Sequence, residues 1–151
     1  MRLAELKNSE GDLMKYFAVV DTNVLVSAFL KPGSIPWQVI ELIRNGTITP
    51  IYNDDIIDEY YDVCLRNEFN FDNDIVEANI SYIKESGIKL TPVEIDEFFA
   101  DKKDIVFYQI VMSARLFVDS ETRLVTGNTK HFPDKEFIVT PRQIIEIINK
   151  Q

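Results

Sequence analysis

Four polar side chains stand where the chain passes from one structural segment to the next, and their oxygens could do chemistry there. Asp21 closes the apolar run Tyr16–Val20, and Asp104 heads a long apolar pattern behind the turn Asp101-Lys102-Lys103. Asn128 follows Arg123–Thr126 and Gly127, and Glu59 lies inside the acidic stretch opened by Asn53-Asp54-Asp55. Acids that converge on one point attract divalent cations, which favour oxygen ligands. A carboxylate at the carboxyl end of a buried parallel strand also sits where open α/β sheets place ligand sites. It is costly there unless a cation, a metal or a set of backbone donors compensates it.

Each group has a plainer reading as well. Asp21 can cap the helix behind it, and Asp104 competes with Asp101 for a similar role. Asn128 can shape a turn, since asparagine tolerates left-handed geometry. Glu59 can belong to a solvated acidic face supported by the helix dipole. Against that, Glu59 shares a helical face with Ile56 and Val63, and Tyr60 and Cys64 extend the apolar side, so it points toward a sheet. Asp55 and Glu59, like Asp58 and Asp62, are like charges one turn apart, a pairing easier to tolerate near a cation.

The elements that must position these groups follow from periodicity. Tyr16–Val20 has the length of a strand buried on both faces, and helical spacing resumes after Asn23. Lys31–Pro36 is a loop, and a second helix ends at Asn45-Gly46. Thr47–Tyr52 reads as a strand broken by Pro50. Helices follow over Asp54–Arg66 and Asn73–Ser86, with Gly87 closing the latter. Ile88–Thr91 is a short strand, and Pro92–Ala100 is acidic and aromatic. Phe107, Ile110, Val111, Ala114 and Phe117 mark a strong helix. Arg123–Thr126 and Phe137–Val139 are strands, and Thr140-Pro141 caps a last helix. Strands alternating with helices predict an α/β fold with a mostly parallel sheet and helices on both sides.

Composition bounds the rest. A length of 151 residues suits one domain, and 46% hydrophobic with 27% charged residues is the balance of an ordinary soluble globule. Residues 1–13 read as a loosely ordered extension ahead of a single domain over 14–151. No apolar run approaches the ~20 residues needed to cross a membrane, and polar Met1–Asp12 lacks a signal core. A single cysteine, Cys64, excludes an internal disulfide and suggests a reducing, cytoplasmic setting. The net charge of −9 gives little general attraction to nucleic acid, whose binding rests on phosphate neutralisation. No G-x-x-x-x-G-K-[ST] or G-x-G-x-x-G loop is present to cradle a nucleotide.

Val19-Val-Asp-Thr-Asn-Val24, Asp55-Ile-Ile-Asp-Glu59-Tyr60, Asp104 before an apolar helix, and Leu124-Val-Thr-Gly-Asn-Thr-Lys-His-Phe132 together resemble a PIN domain. The likeness is nearest to the branch of toxins from toxin–antitoxin systems and covers about residues 15 to 149. It implies a three-layer α/β/α sandwich and a Mg²⁺- or Mn²⁺-dependent ribonuclease acting on RNA. Asp21, Glu59 and Asp104 match the family's first three acids. Asn23 matches the polar residue that supports the first, and the fourth acid of many members is here Asn128. That change removes one negative charge and should weaken retention of a second metal.

On this resemblance Asp21 and Asp104 bind the metal, with Glu59 binding directly or through water. Asn128 lends its carbonyl or holds a water, and Asn23 and Thr126 orient the carboxylates. Folding must then gather residues 21, 59 and 104 into one pocket tight enough to share an ion. Lys130, Arg123, Lys102 and Lys103 are expected to flank the carboxyl ends of the strands and meet phosphates. His131, the only histidine, is expected to be structural more readily than catalytic. Trp37, Phe98, Phe99, Phe107 and Tyr108 could stack bases but more readily pack the core. An antitoxin-like protein would cover the helices at 35–45 and 72–86, and a homodimer is in keeping with the family. The alternative is a nucleic-acid- or protein-binding module weakened in catalysis by Asn128.

Overall fold

The structure, a computed structural model, describes residues 15–150. The extension expected over 1–13 lies outside the described residues. The chain runs β1 (Tyr16–Val20), α1 (Thr22–Leu30), α2 (Ile35–Arg44), β2 (Ile48–Tyr52), α3 (Asp54–Cys64) and α4 (Asn73–Ser86). It continues through β3 (Ile88–Lys89), a 3₁₀ turn at Lys102–Asp104, α5 (Ile105–Phe117), β4 (Arg123–Val125), a 3₁₀ turn at Thr129–His131, β5 (Ile138–Val139) and α6 (Pro141–Asn149).

Among the described residues the strands form one all-parallel sheet in the order β3-β2-β1-β4-β5, flanked by six helices, the α/β layering expected from the sequence. The chain first builds outward from β1 to β2 and β3, then returns to place β4 and β5 on the other side. The direction of winding therefore reverses between β1 and β4, and this topological switch opens a crevice beyond the strands' carboxyl ends. β1 is central and almost fully buried, as its unbroken apolar sequence requires. Its partners on the two sides, Ile48 and Ile51 in β2 and Leu124 and Val125 in β4, are buried equally well.

Helix starts match the chemistry of their first residues. Asn53 accepts from Ile56 N at the head of α3, and Asp72 accepts from Asp74 N and Ile75 N at the head of α4. Thr140 and Gln143 form a reciprocal capping box on α6.

Pro50 does not break its strand. It pairs with Ala18 in the middle of β2. Its carbonyl faces the β3 side, where a Cβ on residue 87 would come within 2.5 Å of it. The absent N–H faces the same way, ahead of the point where β3 joins at Ile51, so no ladder bond is lost. The same contact explains Gly87. A side chain there would press on the backbone carbonyls of Pro50 and Ile83, the latter at 2.6 Å.

Candidate active site

The parallel register of β1 and β4 pairs Val20 with Val125. The next residues, Asp21 and Thr126, therefore meet at the carboxyl ends of the two strands, where the Asp21 amide donates to Val125 O at 2.9 Å. Asp21 is 6% exposed. It holds the N-cap position of α1, yet its side chain makes no capping bond, so the capping alternative fails. Its Oδ2 instead accepts from the Thr126 hydroxyl at 2.8 Å and from Asn23 Nδ2 at 3.3 Å. Thr126 is the donor because an ionised carboxylate can only accept, and the Thr126 oxygen itself accepts from the Asn128 amide at 3.0 Å. Asn23 is oriented in the same way: its Oδ1 accepts from Gly127 N at 3.0 Å, turning its NH₂ to the carboxylate. Sequence reasoning expected Asn23 and Thr126 to orient a carboxylate, and both touch Asp21.

Glu59 is brought in by α3. The buried Tyr60 hydroxyl donates to Val20 O at the end of β1, which seats the helix against the central strand. Glu59, half-buried, then accepts from the Thr22 hydroxyl at 2.6 Å. Thr22 carried no assigned role in the sequence, because its partner is 37 residues away and only packing joins them.

Asp104 precedes α5 without capping it. Asp101 takes the local cap by accepting from Lys103 N, which decides the competition between the two aspartates. Asp104 lies beside His131, with Oδ2 3.6 Å from Nδ1. Asn128 Nδ2 lies 2.9 Å from His131 Nε2, so Asn128, His131 and Asp104 form a continuous row. His131 thus borders the candidate site, which its solitary position in the sequence did not indicate.

The three acids sense one another. Burial pushes the Asp21 carboxyl up to about 6, helped by the charges of Asp104 and Glu59 and opposed by the Thr126 hydroxyl. Asp104 is also raised, first by burial and then by Asp101 and Glu59, against the nearby imidazole. Among the described residues no lysine or arginine pairs with any of the three. Every donor in the set is oxygen, which fits Mg²⁺ or Mn²⁺, ions that keep several waters beside a few carboxylates. The expectation of one tight cluster is not met, however. Among the described residues no three His, Cys, Asp or Glu side chains are close enough to hold a single ion as they stand. The physical reason is visible in the partners: Asp21, Glu59 and Asp104 are tied to Thr126, Thr22 and His131 on separate elements.

The basic residues divide. Lys130 lines a groove together with Asp104, while Lys102 and Lys103 are exposed in the turn before Asp104. Arg123 does not flank the carboxyl ends as expected. It is the first residue of β4, at the amino end of the sheet, 4.0 Å from Glu121 and lining a hollow with Tyr16. Of the aromatics expected to stack or pack, Phe99, Phe107 and Tyr108 are buried and Trp37 packs against the core. Phe98 is exposed.

No helix of the described residues is long and apolar enough to cross a membrane. The family model of the PIN domain matches residues 18–130 of the chain. No curated protein and no solved structure matches it.

Proposed function

The chain belongs to the PIN-domain family, whose members are generally nucleases, and on that footing we propose that it is a Mg²⁺- or Mn²⁺-dependent endoribonuclease, the cytoplasmic toxin of a toxin–antitoxin pair. The observation that carries the reading is the mutual repulsion of Asp21, Glu59 and Asp104 at the switch point, with no lysine or arginine among the described residues to relieve it. PIN domains typically use divalent metal ions. Asp21 and Asp104 would hold the ion, with Glu59 acting directly or through a water and Asn128 offering its carboxamide oxygen. Bound there, it supplies a water of lowered pKa and relief of charge on the scissile phosphate.

The chain's own residues do the positioning. Thr126 and Asn23 fix Oδ2 of Asp21, leaving Oδ1 outside these bonds. Thr22 fixes one oxygen of Glu59. His131 limits the movement of Asp104 and is itself steadied by Asn128. Lys130, Lys102 and Lys103 would meet the phosphates of the RNA. An antitoxin-like partner would lie over α2 and α4, and a small apolar groove lined by Trp37 and Ile75 between these helices supports that surface. A homodimer remains part of the same proposal.

RNA cleavage in Mn²⁺ against EDTA tests the reading, with Asp21→Asn expected to abolish cleavage. A second reading, a binding module with weak catalysis, is favoured by Asn128, whose amide is engaged with His131 where many members carry an acid. If the unmodified chain is inert and Asn128→Asp cleaves, the binding module replaces the ribonuclease.

A further inference from the structure

Phe98, at 89%, is the most exposed large hydrophobic side chain among the described residues. The cause lies next door. Phe99 is 7% exposed and packs against Tyr108 and Phe132, with ring centroids 5.4 and 6.0 Å away. With Phe99 committed to the core, Phe98 is left outside, on a segment that is neither helix nor strand. A single exposed aromatic is ordinary surface. What distinguishes this one is its setting. Phe98 walls a groove of about 460 Å³ shared with Asp104, Lys130 and His131, within the usual size of a small-ligand site.

From this juxtaposition of an aromatic face, a cation and a carboxylate of the candidate active site, we propose that the groove is a nucleotide subsite, in which an unpaired base of single-stranded RNA stacks on Phe98 while Lys130 meets the neighbouring phosphate. The inference rests on the ribonuclease reading and adds to it the groove and the side chain, Phe98, on which a base stacks. Bases inside a duplex already have both faces covered, whereas a base in a single strand offers a free face to an aromatic side chain. At a net charge of −9 the protein gains little from general attraction to phosphate, so stacking must supply more of the binding.

The test is fluorescence polarisation with labelled octauridylate, an abasic ribose-phosphate strand of the same length, and a fully paired duplex, in Ca²⁺ with the RNA recovered intact. Phe98→Ala should weaken octauridylate binding by roughly 5- to 150-fold, the worth of one base–aromatic stack. It should leave the abasic strand unaffected and the melting temperature unchanged, because Phe98 is exposed. Phe98→Trp should retain octauridylate binding, and Lys130→Ala should weaken both single strands. Unchanged octauridylate binding by Phe98→Ala, or a duplex bound as tightly as the single strand, overturns the subsite alone. An unmodified chain that binds none of the three overturns the ribonuclease reading along with it.

Discussion

Replacing Asp21 by asparagine should stabilise the ion-free protein near pH 8, although it removes a residue central to the proposed activity. The folded protein holds the Asp21 proton more tightly than the unfolded chain does, with a pKa of about 6 against an ordinary 3.8. Asp21 therefore contributes most to stability below its unfolded value, and that contribution is lost as pH rises through about 6. At about 1.4 kcal/mol per unit, ionised Asp21 costs the fold about 3 kcal/mol near pH 8. Asparagine avoids this cost and can still accept from Thr126 and Asn23. Misorientation of its amide could return about 1 kcal/mol, leaving a gain of about 2 kcal/mol, or several degrees of melting temperature for a domain of this size. Differential scanning fluorimetry in EDTA near pH 8 and pH 5 measures it, and the gain should fall to roughly a third at the lower pH, where the ionisation cost is about 1.6 kcal/mol. A variant less stable than the parent near pH 8, or a gap independent of pH, would refute the account of Asp21 as a buried, uncompensated carboxylate.

Thr126→Val removes the hydroxyl donor to Asp21 and the acceptor for Asn128 N; urea unfolding near pH 8 should show a loss of about 1–3 kcal/mol. Gly87→Ala places a methyl within 2.6 Å of two backbone carbonyls that cannot rotate away, and the same measurement should show a loss of about 1–3 kcal/mol from overpacking. Cys64 is fully buried and its thiol is pushed up to about 11 by that burial. It should resist a thiol reagent near pH 8 in the native protein and react only on unfolding; rapid native labelling would contradict the packing of α3.

The central strand was legible because Tyr16–Val20 is an unbroken apolar run ended by polar residues, and the placement of Asp21 followed from its length alone. Caps were legible as residue types but not as choices. Asp21 and Asp104 both occupy cap positions, and only the folded register shows that neither side chain caps. Pro50 was misread as a break because its tolerance depends on where β3 begins, a fact of pairing and not of propensity. Arg123 was assigned to the wrong end of the sheet, although as the first residue of a parallel strand it must lie at the amino edge. Thr22 with Glu59 and His131 with Asp104 were out of reach, since each contact joins segments that meet only through tertiary packing. The groove beside Phe98 is of the same kind. Its exposure follows from the burial of Phe99, and a pair of adjacent phenylalanines does not announce which one faces inward.

The central claim is that Asp21, Glu59 and Asp104 hold a divalent ion in common, and anomalous diffraction from crystals soaked in Mn²⁺ tests it most directly. One peak should lie between Asp21 and Asp104, with Glu59 reaching it directly or through a single water, and it should vanish in Asp21→Asn crystals. A Mn²⁺ ion bound elsewhere on the chain, or a peak that survives Asp21→Asn, would contradict the account.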